Sequence, residues 1–201
     1  DAARAFVYSA NNGAVISQNS WGYRYTANIT VIPPSMKQAI DYFIKWAGCD
    51  KNGNQKADAP MKGGIVIFAA GNDGRDYKSY PGAYEAVVAV SSMNPAFTNA
   101  PYSNRGDWVD IMAPGGDVNF GDAGQVISTL SKKITKGDEY GGMQGTSMAC
   151  PHVSGVAALI VSHFGGQGFT SEKCKQILLG SLKSKSIDQT ISRYAGRLGC
   201  G

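Results

Sequence analysis

The stretch Gly64 to Ala70, "GIVIFAA", is apolar without alternation, and it limits the fold more than any other part of the chain. A strand with one wet face alternates apolar and polar residues, so a continuous run of this kind belongs to a strand covered on both faces. Shorter runs follow the same pattern: "AVISQ" (14–18), "AVVAV" (86–90), "WVDIM" (108–112) and "VIST" (126–129). Between the first two strands lies "PPSMKQAIDYFIKWAG", in which Met36, Ile40, Phe43, Ile44 and Ala47 recur at helical spacing behind a Ser35 cap. Strand, helix, strand is the βαβ unit of a parallel sheet. The expected fold class is therefore α/β, a mostly parallel sheet with helices on both faces.

Three further helices are expected. Ala2, Ala3, Ala5, Phe6, Val7 and Ala10 fit a helix that ends at Asn11-Asn12-Gly13. It has no lead-in, so the chain is expected to start in mid-fold. Residues 145–164 are apolar on nearly every side, the mark of a central, buried helix. A last helix over 170–184 has a Thr170 cap and sets Cys174, Ile177, Leu178 and Leu182 on one face, before the closing turn "YAGRLGCG".

Composition narrows the function classes. With 201 residues, 43% hydrophobic and 17% charged, the chain is one globular domain or a large part of one. The net charge of +4 is spread, and its densest patch, Lys132, Lys133 and Lys136, reads as a solvated loop and not a nucleic-acid site. No run of about 18 apolar residues suggests a membrane span. Cys49, Cys150, Cys174 and Cys200 form no CxxC pair, which argues against a disulfide scaffold or a spaced zinc site.

Chemistry concentrates in three places. "GTSMACPH" puts Thr146 and Ser147 where the buried helix begins, beside unpaired N–H groups and the positive end of the dipole. Pro151 has no N–H to return to the Ser147 carbonyl, so the first turn must be irregular there. "FAAGNDG" places Asn72 beyond the carboxyl end of a buried strand, where ligand crevices of open parallel sheets lie. "QNSWG" (18–22) also follows a strand, where exposed backbone can pair with an extended peptide.

Together these stretches resemble the subtilisin-like serine proteases, the subtilases. "GTSMACPHVSGVAALI" is similar to the family's nucleophile motif and helix, "AAGN" to its oxyanion segment and "NSWG" to its substrate-binding strand. "YPGAYEAVVAVSSM" (80–93) and "VDIMAPGG" (109–116) follow in the family's order, and the likeness runs from about residue 5 to about residue 198. The resemblance implies that Ser147 is the nucleophile, and that the Asn72 amide and the Ser147 N–H form the oxyanion hole. Ser20, Trp21 and Gly22 would pair with substrate backbone, with Ala69, Ala70 and Gly71 as the opposite wall of the specificity pocket. Ser79 would sit near the pocket's base, and Thr146 joins the substrate-binding residues. The loop "DGRDYKS" departs from subtilisins: it is short and carries Asp73, Arg75, Asp76 and Lys78.

The larger departure is the base. Subtilases order their triad Asp, His, Ser, whereas the only two histidines here, His152 and His163, follow Ser147. His152 lies about 140° round the helix from Ser147, and His163 about 24 Å along its axis. The expectation is that residues 1–201 are the C-terminal portion of a single subtilase catalytic domain, incomplete at both ends and inactive alone. Its partner would be the N-terminal half of the same domain, carrying the catalytic Asp and His.

The resemblance also implies a polypeptide substrate and a secreted or cell-envelope location. No cofactor is needed for the chemistry, but a structural calcium or sodium ion is implied at the carbonyls of Gly82, Tyr84 and Val87 with Asp110. A calcium-like spacing, Asp50, Asn52, Asn54 and Asp58, lacks the expected Gly and final Glu and reads as a polar loop. Two rival functions carry sequence requirements of their own. An α/β-hydrolase needs Ser, acid, His in that order, and no acid lies between Ser147 and His163, nor any His after Glu172 or Asp188. A catalytically inactive, subtilase-like interaction domain would not need both Ser147 and Asn72, which are present.

Overall fold

The computed structural model describes residues 1–24, 28–135 and 137–180. In chain order these form helix α1 (Ala2–Asn11), strand β1 (Ile16–Asn19), α2 (Pro34–Trp46), β2 (Ile65–Ala69), β3 (Val88–Met93) and β4 (Ile111–Pro114). There follow β5 (Val126–Thr129), the one-turn α3 (Lys132–Thr135), β6 (Tyr140–Met143), α4 (Thr146–Phe164) and α5 (Ser171–Gly180). Strands β1 to β4 pair in sequence order, all parallel, with Ile16 beside Ile65, Ile67 beside Val88 and Val90 beside Ile111.

The unbroken apolar runs have the predicted cause. All five residues of β2 and the first five of β3 are buried. Helices α1 and α2 pack together beside the sheet, Phe6 meeting Phe43 edge-on at 6.1 Å and Phe68 of β2 at 6.3 Å. Helix α4 packs across all four strands and against α5, its buried side formed by Ala149, Cys150, Val153, Ala157 and Ile160. Small residues there let the helix approach closely, and each large side chain buried in this core contributes roughly 1.5–3 kcal/mol.

Four expectations need correction or restriction. Ser35 does not cap α2: Pro33 is the cap and Pro34 the first helical residue, where its fixed φ and missing N–H cost nothing. "VIST" is a strand, but it pairs antiparallel with β6, outside the main sheet, and Ile127 is 69% exposed. Helix α4 is not covered on every side. Val156, Leu159 and Phe164 are 43%, 70% and 51% exposed, so one flank of an apolar helix faces outward. Among the described residues, α4 alone has the length and hydropathy of a membrane-crossing helix, yet its other flank is the core of this sheet. Leu182, Lys136, Cys200 and the closing "YAGRLGCG" lie outside the described residues.

Candidate active site

Three chain segments converge at the carboxyl ends of β1 and β2. The chain leaves β1 as Ser20-Trp21-Gly22, leaves β2 as Ala70-Gly71-Asn72, and meets the start of α4 at Gly145-Thr146-Ser147. Parallel strands all deliver their exits to one end of the sheet, so residues far apart in sequence become neighbours there.

The hydrogen bonds at this junction define its chemistry. Thr146 is fully buried. Its N–H and Oγ1 both donate to Asn72 Oδ1, at 2.8 and 2.9 Å, and Oγ1 also accepts the Gly71 N–H at 3.1 Å. With Oδ1 fixed in this way, the planar amide has its donor group Nδ2 on the opposite side, beside the helix start. A Cβ placed on Gly145 would stand 3.5 Å from that nitrogen, and Gly145 has φ 148°. A side chain at Gly145 would crowd the approach to the amide and strain the backbone.

Asn104, also fully buried, supports the loop from behind. Its Oδ1 accepts the N–H groups of Asp73 and Arg75 at 2.9 and 3.3 Å, while its Nδ2 donates to the Ala70 carbonyl at 3.0 Å. Gly71, at φ 102°, leaves room for this amide, because a Cβ there would lie 2.5 Å from Asn104 Nδ2. Sequence reasoning missed Asn104, since "SNRG" carries only a turn signal.

Ser147 sits in the first turn of α4, and its Oγ donates to the Ser20 carbonyl at 3.3 Å, a long bond that is easily exchanged. Its own carbonyl lacks the usual helical donor because residue 151 is proline. Ser20 Oγ donates to that carbonyl instead, at 2.8 Å, and accepts from Gln18 Nε2 at 2.5 Å. The irregular turn that the sequence required is thus closed from β1. Beneath it Cys150 is buried, its Sγ 3.6 Å from the Ile67 carbonyl, and burial pushes its thiol up from the ordinary cysteine value.

A cavity of about 640 Å³ opens beside Ser147. Ser20, Trp21, Gly22, Ala69, Gly71, Asn72, Ser79 and Thr146 all line it, as does Ser147. Ala70 lies behind this wall, fully buried, its N–H donating to the Val90 carbonyl at 2.9 Å. The Thr146 hydroxyl is spent on Gly71 and Asn72, so this residue positions the amide. Tyr23, Arg24, Asp73 and Arg75 also reach the cavity. Tyr23 and Arg24 were not singled out in the sequence, because nothing in "GYR" marks a pocket wall.

Neither histidine meets Ser147. His152 is exposed, with Nδ1 donating to the Met148 carbonyl at 2.8 Å, and His163 meets the Phe164 ring edge-on at 4.5 Å. The polar-loop reading of 50–58 fits the geometry: Asp50 Oδ1 accepts the N–H groups of Asn52 and Asn54, at 2.8 and 2.9 Å. Among the described residues, no group of three or more His, Cys, Asp or Glu side chains is placed to hold a metal.

Comparison with known proteins bears on the whole of this arrangement. The model of the Subtilase family matches residues 1–197. A thermophilic serine proteinase of Bacillus sp. (strain AK1) is 32% identical over 98% of this chain and 37% of its own length. An extracellular basic protease of Dichelobacter nodosus is 36% identical over 77% of this chain and 24% of its own. A solved protease structure from Pseudoalteromonas arctica superposes with a TM-score of 0.68 and 28% identity, over 90% of this chain and 51% of that one. The chain thus spans between about a quarter and about half of the length of these three proteins.

Proposed function

The chain belongs to the subtilase family of serine proteases, and from that premise we propose that Ser147 is the nucleophile of an endopeptidase that works through an acyl-enzyme. The observation that carries this reading is the clamp of Thr146 on Asn72 Oδ1, which leaves the amide donor facing the start of α4. A polypeptide lies along Ser20 to Gly22 and puts one side chain into the cavity lined by Trp21, Gly71 and Ser79. Ser147 Oγ attacks the scissile carbonyl carbon. The negative charge that forms on oxygen is received by Asn72 Nδ2 and the Ser147 N–H, two donors oriented before the reaction starts. A histidine takes the Ser147 proton and passes it to the leaving amine, an aspartate holds that histidine, and water then releases the acyl group.

This histidine and aspartate come from a segment of the complete protein outside residues 1–201. Two facts support that assignment. The chain has only two histidines, and they meet the Met148 carbonyl and the Phe164 ring, not Ser147. The exposed flank of α4 and strand β1, which is an edge strand among the described residues, give such a segment an apolar surface and a strand to pair with. Residues 1–201 alone therefore lack activity. We place the protein outside the cytoplasm, a reading supported by the relative named as an extracellular protease.

The test is labelling of the complete protein by a fluorophosphonate. One adduct at Ser147, absent from Ser147→Ala, is the expected result. Labelling that persists in Ser147→Ala overturns the assignment.

A further inference from the structure

The cation site implied by the family resemblance does not suit a metal ion in this chain. Its proposed ligands are the carbonyls of Gly82, Tyr84 and Val87 and the carboxylate of Asp110. Lys175, on α5, extends into this place: its Nζ donates to the Val87 carbonyl at 3.0 Å and to the Glu85 carbonyl at 3.5 Å. The Asp110 carboxylate accepts the Ala89 N–H at 2.8 Å. Burial raises its pKa, which the Ala89 hydrogen bond and the nearby Lys175 charge oppose. Metal and ammonium would compete for one carbonyl oxygen. A calcium ion bonds such an oxygen at about 2.3–2.6 Å, which would hold two positive charges close together in a partly buried setting where repulsion is poorly screened.

We propose that the Lys175 ammonium is the built-in cation of this site, held by the Val87 and Glu85 carbonyls, in the place of a bound metal ion. An ammonium has three donors and one positive charge, so it meets the same need as a small cation surrounded by oxygen atoms. Its tether fixes α5 to the loop that enters β3. Cys174 and Leu178 are buried on the same helix, so the polar and apolar attachments of α5 act within one turn of each other. The carbonyls and Asp110 belong to the sheet side, and they stay in place when the side chain at 175 is shortened or neutralised. Removing the ammonium therefore leaves an oxygen-lined, negatively charged site that takes a cation from solution.

The experiment compares the complete wild-type protein with Lys175→Met, and with Lys175→Gln as a milder variant should the first not fold. Thermal midpoints are measured at matched ionic strength in choline chloride, NaCl and CaCl2. In choline chloride the variant is expected to melt roughly 5 °C below wild type, and sodium or calcium should close at least half of that gap. Calcium titration by calorimetry, run on the same pair, should find one more site per molecule in the variant than in wild type. Lys175→Arg, which keeps the charge, should show neither the gap nor the extra site. The proposal is overturned by a variant without a gap, by a gap that neither cation narrows, or by equal numbers of calcium sites in variant and wild type.

Discussion

The two sides of Ser147 are built differently. Towards β2, three side chains hold the site: Thr146 clamps Asn72, Asn104 holds the loop after Asn72, and Ser20 completes the turn that Pro151 opens. Towards the outer flank of α4, neither histidine meets Ser147, and Val156 and Leu159 are exposed among the described residues. On the proposed reading the difference separates two tasks of catalysis. Receiving charge on oxygen requires rigid donors, and one folded unit supplies them through its own hydrogen bonds. Moving a proton requires a histidine and its aspartate, which subtilases carry ahead of the serine in sequence. On the proposed reading, the donors for the first task lie in this chain and the groups for the second lie outside it.

Breaking the rigid side should have the largest effect. In the complete protein, Asn72→Ala is expected to lower kcat by roughly 10² to 10³, the scale known for loss of one oxyanion donor in subtilisin, with little change in KM. Steady-state kinetics decide it, and a raised KM at unchanged kcat would assign Asn72 to substrate binding. The bare side is probed by Leu159→Lys. In residues 1–201 this exposed position should shift unfolding by no more than about 0.5 kcal/mol, since Leu and Lys have similar helix propensity. In the complete protein the same change should cost more than about 2 kcal/mol, because a charge would be buried without a partner. Equal, small costs in both, measured by denaturant unfolding, would show that nothing covers this flank.

A finer break is Thr146→Val, which keeps the shape and removes the hydroxyl that holds Asn72 and Gly71. The expected loss is about tenfold in kcat, corresponding to about 1.4 kcal/mol of positioning, with the fold retained by circular dichroism. The smallest effect concerns the loop after α2. Backbone N–H bonds from Asn54 and Asn52 hold the Asp50 carboxyl below the usual carboxylate range, though desolvation opposes them. A lowered folded pKa means that the loop's gain is complete above the unfolded value, about 3.9. It is lost as pH falls through the lower, folded value. Amide resonances of Asn52 and Asn54 should therefore titrate below pH ~3.9; titration above that value would contradict the hydrogen bonds described.

What the sequence revealed of this asymmetry follows from how local each feature is. Ser147, Asn72 and Ser20-Trp21-Gly22 were legible because each is tied to a short motif at the end of a strand or the start of a helix. Asn104 was not, because its role depends on bonds to Ala70 and Asp73, some thirty residues away in sequence, and nothing near "SNRG" records them. The buried strands were legible from continuous apolar runs, but "VIST" has the same pattern and pairs instead with "YGGM", whose residues carry no strand signal. Helix α4 shows the other limit. Apolar composition marks a helix with a buried flank, but it does not tell that flank from the one on which Val156 and Leu159 are exposed. Ser35 failed for a local reason: a serine one residue after Pro34 looks like a cap, while the proline itself takes the first helical position.

The proposed function puts the nucleophile and the oxyanion donors in this chain and the base outside it. Its most direct test is hydrolysis of a peptide substrate by purified residues 1–201, measured alone and after addition of the upstream segment of the same protein. Residues 1–201 alone should not hydrolyse the peptide, and hydrolysis should appear once the two pieces combine. A soluble, cooperatively folded monomer of residues 1–201 that cleaves peptides by itself would contradict it.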